Sequence, residues 1–224
     1  NSILAGEVIP PDEHISAEGK RVVILGGGDT GADCLGTAHR QGAEVVYQFE
    51  LLPEPPEVRR AVNPWPQWPI IMRSSAAHEE GGIRDYSIQT KGFSGKDGNL
   101  EKLHAARLEW GPPDETGRPS MNEIAGSEFE IETELVLLAL GFLHPQREGL
   151  LTDLGIELDP RGNVATGADH MSSVPGVFAA GDMRRGQSLV VWALAEGREA
   201  AHHIDKYLMG ATRLPQSLPG AMAR

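Results

Sequence analysis

The sequence predicts an α/β fold, in which parallel strands alternate with helices, and three observations lead to that prediction. The apolar run Val22–Leu25 is followed directly by a glycine-rich turn, Gly26–Gly31, and then by a helical pattern. A second strand pattern, Glu44–Phe49, comes after that helix. Further along the chain, Leu135–Leu140 is a continuous apolar run, which is typical of a strand buried in a parallel sheet.

The turn has the spacing G-x-G-x-x-G, and its place between a strand and a helix is the one that a dinucleotide site requires. Gly26 permits the tight turn, Gly28 lets the backbone approach a pyrophosphate, and Gly31 lets the helix pack closely on the strand. The first N–H groups of the helix then face the anion at the positive end of the helix dipole. The alternative interpretation is an ordinary glycine-rich turn that binds no ligand.

The first helix is predicted over Ala32–Gln41, and Gly42 is a suitable stop signal for it. The strand Glu44–Phe49 completes a β-α-β unit that ends at Glu50, 24 residues after Gly26. An acidic residue at this point normally accepts hydrogen bonds from the adenine ribose of NAD and repels the 2′-phosphate of NADP. Glu50 is therefore a candidate ribose ligand, and the alternative is a surface glutamate at a strand end.

The next segment, Leu51–Pro69, holds six prolines and is therefore unsuitable for a regular helix or a central strand. We expect a rigid loop that packs Trp65 and Trp68 onto the surface of the domain. The alternative is a docking edge for a partner, because aromatic side chains anchor interfaces.

Antiparallel strands are predicted between Tyr86 and Trp110, because Lys96-Asp97-Gly98-Asn99 is a typical hairpin turn. The apolar run Leu135–Leu140 is expected to return to the parallel sheet as a fully buried strand, and it ends at Gly141. Its carboxyl end should lie near the ligand, because α/β sheets bind ligands at that edge.

The C-terminal part of the chain again shows a short apolar strand pattern, Gly176–Ala180, that leads into Gly181-Asp182. A helix is predicted to follow over Leu189–Met209. Taken by itself, Gly181-Asp182 is equally compatible with a simple helix cap.

Composition excludes several classes of function. The 224 residues carry 20 basic and 32 acidic side chains, and the net charge of −12 argues against nucleic acid or an anionic membrane as the main partner. No apolar run approaches the roughly 18 residues of a membrane span, and the N-terminus lacks the pattern of a signal peptide. The single cysteine excludes an internal disulfide and a cysteine-held iron–sulfur cluster within this chain. We expect a cytoplasmic or plastid-like protein.

Longer stretches of the sequence resemble one family. The blocks Gly26–Cys34, Glu50–Pro56, Asn63–Pro69 and Val177–Ala193 resemble the small (β) subunit of glutamate synthase and the C-terminal region of the fused, NADH-dependent enzyme. The resemblance covers essentially the whole chain.

This resemblance implies two nested dinucleotide-binding domains. Residues 1–20 would be a connector, 21–142 a Rossmann-like NAD(P)H-binding domain with an antiparallel β-meander insertion, and 143–224 the C-terminal return of an FAD-binding domain. The missing N-terminal FAD and iron–sulfur region would carry the cysteine-ligated clusters and the glycine turn for the FAD pyrophosphate. The chain is thus expected to be a piece of a longer protein.

The resemblance also assigns roles to individual residues. Gly26, Gly28, Asp29, Thr30 and Gly31 correspond to the pyrophosphate site for NAD(P)H.

Further roles concern the nicotinamide and the flavin. Ala139 and Gly141 correspond to a strand end beside the nicotinamide, and Asp182, after the turn at Gly181, corresponds to the ligand of the FAD sugar-alcohol chain. The helix N-terminus that would face the flavin pyrimidine consists of Gln187, Ser188, Leu189 and Val190.

The resemblance implies that NAD(P)H passes hydride to FAD and that electrons then reach a large subunit through iron–sulfur clusters. There glutamine and 2-oxoglutarate would become two glutamates. No side-chain acid or base is needed for the hydride step, so no catalytic residue and no metal ligand is assigned. Two alternatives stay open, namely a nucleotide-binding fragment without activity and a related flavin reductase with another acceptor.

The choice of nicotinamide cofactor depends on the end of the second strand. Related enzymes that use NADPH tend to carry paired arginines there, whereas Tyr47–Glu50 contains no basic residue. NADH is therefore the expected cofactor. Arg59 and Arg60 follow on the proline-rich segment and keep NADPH possible, because arginine pairs well with phosphate.

Overall fold

The computed structural model describes residues 5–10, 14–65, 69–113 and 119–216. By its internal contacts the chain divides into two compact units, Asn1–Leu140 and Gly141–Arg224. The first unit contains β1 (Arg21–Leu25), α1 (Asp29–Arg40), β2 (Val45–Phe49), α2 (Ala76–Glu79), β3 (Ile83–Asp85), β4 (Ile88–Lys96), β5 (Asn99–Pro113), β6 (Pro119–Glu123), β7 (Phe129–Glu132) and β8 (Leu135–Leu138). The second contains α3 (Leu150–Asp153), α4 (Asp182–Arg185) and α5 (Val190–Met209).

Within the described residues, a parallel sheet has the strand order β3-β2-β1-β8. Leu25 at the end of β1 lies opposite Phe49 of β2 and Leu138 of β8. The carboxyl ends of these three strands therefore lie at one edge, and the glycine turn leaves the sheet there. The predicted α/β fold class is confirmed.

The central strand β1 is buried because its two faces are both covered. Val22 and Ile24 pack with Leu35 and Ala38 of α1 in one core cluster. Val23 and Leu25, on the opposite face, belong to a second cluster with residues of β5. This burial on both sides explains why β1 reads as a continuous apolar run.

The antiparallel part has the order β4-β5-β6, with β7 also paired to β5. As predicted, Asp97 and Gly98 join β4 to β5, and both have positive φ values of 53° and 80°. Two positive φ values are what a tight two-residue hairpin requires. Arg107 of β5 donates two hydrogen bonds of 2.7 Å to the carboxylate of Asp85 in β3, which ties this sheet to the parallel one.

Two strand predictions were wrong in part. The run Leu135–Leu140 was expected to be fully buried, but β8 is the outermost strand of its sheet, and Leu138 and Leu140 are each 68% exposed. The segment Gly176–Ala180 forms no regular strand and takes part in an isolated bridge between Met171 and Phe178. A ladder needs a partner along its whole length, and the described residues supply one for a single residue pair.

Two local expectations also need correction. The helix α1 begins at Asp29 rather than Ala32, so Gly31 lies within its first turn. Trp65 is 82% exposed rather than packed on the domain surface, and Trp68 lies outside the described residues.

Candidate functional site

The glycine turn of the first unit is held by close contacts between backbones. Gly26 has φ +118°, and a Cβ there would overlap the carbonyl of Ala139, which follows β8. A Cβ on Gly31 would overlap the carbonyl of Gly26 and lie 2.7 Å from Nε2 of Gln48. The turn, the first turn of α1 and the end of β8 therefore approach as closely as glycine allows.

Gly28 differs from these two glycines because the position that a Cβ atom would occupy lies in open space. It is the N-cap of α1, with φ −77° and ψ −174°, and a Cβ would meet no atom of the described residues within 4 Å. The first N–H groups of a helix have no partner within the helix. The first turn, with Asp29, Thr30 and Gly31, thus presents donors beside open space, which is the geometry that suits an anion.

The open space belongs to a cavity of about 430 Å³ in the first unit. Gly27, Gly28 and Asp29 form part of its wall, and Glu50, His78 and two arginines, Arg73 and Arg84, form another part. A carboxylate, a backbone anion site and two guanidinium groups line one cavity, and this combination suits a phosphorylated sugar.

Glu50 follows β2 directly and lies over the middle of the glycine turn, where a Cβ on Gly27 would overlap its carboxylate. Oε1 of Glu50 is 4.0 Å from Nη2 of Arg84, and both side chains are largely buried. Burial raises the pKa of Glu50, and the nearby Arg84 charge offsets part of that shift. The carboxylate therefore lies over the glycine turn, directly after the end of β2.

A hydrogen-bond chain that begins at a buried glutamine supports the turn. Gln48 of β2, which is 1% exposed, donates from Nε2 to the Gly26 carbonyl over 3.0 Å. Its Oε1 lies 3.0 Å from Nε2 of His78, and Nδ1 of His78 accepts from the Ser75 amide over 3.0 Å. Since the Gln48 amide group must donate to the carbonyl, Nε2 of His78 carries the proton. Burial and the Arg84 charge lower the pKa of His78, which favours the neutral ring.

The basic residues around this cavity are not the ones that the sequence singled out. Arg59 donates to the carbonyl of Asn63 within its own loop, over 3.2 Å. The described lining contains Arg73 and Arg84 instead of Arg59 and Arg60. Arg84 is brought there by the pairing of β3 with β2, a tertiary relation that sequence spacing does not reveal.

In the second unit, Gly181 is the N-cap of the short helix α4, and Glu196 of α5 holds this segment by hydrogen bonds. Glu196 is 1% exposed and accepts hydrogen bonds from the Gly181 amide, from Nη1 of Arg184 and from Nε of Arg185, over 2.8, 3.0 and 2.8 Å. Arg185 also lies 4.3 Å above the ring of Trp192. Sequence reasoning did not identify Glu196.

The Asp182 carboxylate accepts from both the amide and the hydroxyl of Ser188, over 3.1 and 3.0 Å. It lines a cavity of about 330 Å³ together with Met183, Gly186 and Gln187. Gln187 accepts from the Phe142 amide over 3.2 Å, and its side chain fills the position that a Cβ on Gly141 would need.

The helix α5 starts four residues after the C-cap of α4, Gly186. Leu189 is its N-cap, without a side-chain cap among the described residues, and Val190 is its first residue. The Asp182 carboxylate can accept hydrogen bonds from hydroxyl groups. It lies close in sequence to the N-terminus of the 20-residue helix α5, and both belong to one unit.

Three further features bear on function. Among the described residues, no three His, Cys, Asp or Glu side chains are grouped to hold a metal ion. Burial raises the pKa of the Cys34 thiol. No helix in the described part of the chain has both the length and the apolar character to cross a bilayer.

The family model for pyridine nucleotide-disulphide oxidoreductases matches residues 5–197. The chain belongs to this family. Its relatives include a protein named glutamate synthase [NADPH] small chain from Mycobacterium tuberculosis, which is 57% identical over 90% of this chain and 40% of the relative. Another is glutamate synthase [NADH] from Schizosaccharomyces pombe, 46% identical over 90% of the chain and 10% of the relative. This oxidoreductase chain thus spans less than half the length of these relatives, and the resemblance to glutamate synthase is confirmed.

Solved structures agree with the fold. A thioredoxin reductase from T. acidophilum matches with a TM-score of 0.56 and 25% identity, over 86% of this oxidoreductase chain and 53% of that one. The Mycobacterium tuberculosis protein FprA in complex with NADPH matches with a TM-score of 0.64 and 14% identity, over 87% of this chain and 54% of FprA.

Proposed function

We propose that this chain is part of the electron-input module of a glutamate synthase, which binds NAD(P)H and passes hydride to FAD. The observation that carries the nucleotide part of this proposal is the open space beside Gly28, at the first turn of α1. There the unpaired amides of α1 face a cavity whose wall includes the carboxylate of Glu50. The relatives named glutamate synthase supply the reaction.

In this proposal the pyrophosphate of the dinucleotide lies on the first turn of α1, against Gly26, Gly28 and the amides that follow. Glu50 accepts hydrogen bonds from the adenine ribose hydroxyls, which favours NADH as the cofactor. Ala139, which follows β8, is proposed to lie beside the nicotinamide, and Gly141 is proposed to border the nicotinamide as well. These residues bind and orient the nucleotide, and no side chain of the chain transfers a proton in the hydride step.

The second unit is proposed to contribute to FAD binding. The exposed Asp182 carboxylate suits the hydroxyl groups of a sugar-alcohol chain, and Gly181 lets the backbone turn there with φ +68°. The α5 N-terminus, with Gln187, Ser188, Leu189 and Val190, suits a flavin ring that gains negative charge. FAD, when bound, supplies the hydride acceptor.

The rest of the proposed activity lies beyond this chain. Electrons would pass through iron–sulfur clusters of an N-terminal FAD and iron–sulfur region to the glutamate synthase large subunit, which forms glutamate from glutamine and 2-oxoglutarate. The relatives' names support a large-subunit partner, since they are called small chains. A cytoplasmic location is part of the same proposal.

The role of Glu50 is tested by Glu50→Arg. This substitution removes a ribose acceptor and adds a phosphate partner, so the affinity for NADH should fall and the affinity for NADPH should rise, each by about tenfold. Calorimetric titration with both nucleotides measures the change. Glu57→Arg is the matched control, because it makes the same charge change on an exposed residue outside the described lining of the cavity. An unchanged preference in Glu50→Arg would show that Glu50 does not face the ribose.

The proposed reaction is tested by combining the purified protein, its N-terminal region and the large subunit. Glutamine-dependent oxidation of NADH in the presence of 2-oxoglutarate is expected. The second candidate is a flavin reductase with another acceptor, which the match to a thioredoxin reductase favours. It would oxidise NADH without any dependence on glutamine. A fragment without activity would bind nucleotide and show no flavin spectrum.

A further inference from the structure

A histidine in the second unit holds the chain just before the turn at Gly181. The amide of Ala179 donates to the His170 carbonyl over 3.0 Å, and Nδ1 of His170 lies 3.2 Å from the Ala179 carbonyl oxygen. Because a carbonyl oxygen can only accept, Nδ1 carries the proton of this hydrogen bond. His170 thus fixes both the N–H and the C=O group of Ala179, two residues before Gly181.

His170 is itself held in an unusual conformation. The residue is 2% exposed, and its ring stacks on the ring of His203 in α5, with centroids 6.3 Å apart. Its backbone has φ +63°, in the left-handed region that few residues other than glycine adopt. Such a conformation persists where the surroundings determine it, so the buried ring and the two hydrogen bonds to Ala179 support one another.

The segment that His170 holds leads directly to the Asp182 carboxylate. Ala179 is fixed by His170, and the Gly181 amide donates to Glu196 over 2.8 Å. A Cβ on Gly181 would lie 3.1 Å from the Cβ of Ala193 in α5, so the backbone also packs closely on that helix. Asp182 therefore follows a stretch of backbone that is fixed at two points, and its position depends on both.

A proton on Nε2 of His170 would place a cation beside a carboxylate that is already shared. The groups whose charge acts on the ring are Arg184, Glu196 and His203. Glu196 accepts from both Arg184 and Arg185, so two guanidinium groups already use its one negative charge. Burial is the largest cause that lowers the pKa of His170 and the Arg184 charge is the next, whereas Glu196 opposes the shift. The held ring is therefore neutral at pH 7.

We infer that His170 is a positioning residue for Asp182, which holds Ala179 while its ring is neutral and releases it when the ring is protonated. The released segment binds a proton more readily than the buried ring does, so release is favoured below the ordinary histidine pKa of about 6.5. The consequence for FAD rests on the proposed function. Since Asp182 is the proposed ligand of the FAD sugar-alcohol chain, FAD should bind more weakly in acid.

Amide hydrogen exchange of the purified protein without flavin measures the hold itself. The protection factors of the Ala179 and Gly181 amides should fall severalfold between about pH 7.5 and about pH 5, whereas those of the β1 amides should stay within about twofold. An equal loss in β1, or no loss at Ala179, would overturn the inference, and this comparison requires no variant.

His170→Asn removes the titrating ring and keeps the local geometry, because asparagine tolerates the left-handed backbone and its Nδ2 can donate in place of Nδ1. Protection at Ala179 should then stay within about twofold between the two pH values. His144→Asn is the matched control, since His144 is an exposed histidine of the same unit, and it should keep the wild-type loss. A loss that survives in His170→Asn would overturn the inference.

Fluorescence titration with FAD, in the presence of the N-terminal region, separates this inference from the proposed function. The affinity for FAD should fall severalfold over the same pH interval in the wild-type protein and should change little in His170→Asn. If exchange behaves as expected and FAD binds at neither pH, the proposed FAD role of Asp182 fails while the hold at Ala179 stands. If FAD binds with the same pH dependence in both proteins, the positioning role of His170 is overturned.

Discussion

Gly28→Ala is expected to leave the fold intact and to weaken dinucleotide binding. The backbone of Gly28, at φ −77° and ψ −174°, is accessible to alanine, and the new methyl group would meet no described atom within 4 Å. Alanine is a poorer N-cap than glycine, which costs about 0.5–1 kcal/mol. The reduced entropy of the unfolded chain offsets about 0.4–1 kcal/mol. The net change in the free energy of unfolding should therefore stay within about 0.5 kcal/mol.

The effect on binding is much larger because the methyl group occupies the space proposed for the pyrophosphate. Displacing that anion removes one charge-assisted hydrogen bond to the first turn of α1, worth about 1.5–3 kcal/mol. The dissociation constant for NADH should rise by about 10- to 100-fold. Urea denaturation measures the stability and calorimetry measures the affinity of the same preparation. Unchanged NADH affinity in a stable Gly28→Ala protein would refute the proposed position of the pyrophosphate.

Three further substitutions probe packing and charge. Gly31→Ala should destabilise the first unit by about 1–3 kcal/mol in urea denaturation, because its methyl group overlaps the Gly26 carbonyl; a wild-type midpoint would contradict the close packing. Glu196→Gln should lower the free energy of unfolding of the second unit by about 3 kcal/mol, seen as a lower Tm, because two guanidinium groups lose their buried counter-charge; an unchanged Tm would argue against this role of Glu196. Asp85→Asn should cost about 0.5–1 kcal/mol at pH 7, since the Asp85–Arg107 pair is partly exposed. The Arg107 hydrogen bonds lower the pKa of Asp85, so this difference should be full above pH 4 and disappear as the pH falls through the folded-state pKa; a difference that does not shrink as the pH falls below 4 would contradict it.

Local signals in the sequence were sufficient to predict the strands and turns around the glycine turn. The apolar run before Gly26, the glycine spacing and the hairpin at Asp97-Gly98 each specify backbone geometry within a few residues, and the structure has strands and turns at these places. The start of α1 was placed three residues late, because glycine at position 31 is unfavourable inside a helix and is accepted here for close packing.

Burial could not be predicted where it depends on strand order. The run Leu135–Leu140 has the composition of a central strand, yet its neighbour on one side is β1 and the described residues supply none on the other. Leu138 and Leu140 are both exposed. Periodicity reports which residues share a face and does not report whether that face is covered.

The supporting polar residues were missed for a related reason. Gln48 and His78 are 30 residues apart in sequence, and Glu196 lies 15 residues from the Gly181 amide. Arg84 reaches the cavity through strand pairing. None of these residues belongs to a short motif, since each acts on a site built by another segment, and sequence spacing carries no record of such contacts.

The most direct test of the nucleotide site is amide hydrogen exchange of the purified protein with and without saturating NADH. The proposed site predicts that the amides from Gly27 to Ala32 exchange more slowly when NADH is bound, because the pyrophosphate accepts from the otherwise unpaired first turn of α1. Saturable binding of NADH with unchanged exchange over Gly27–Ala32, and with protection confined to Gly181–Val190, would contradict the account.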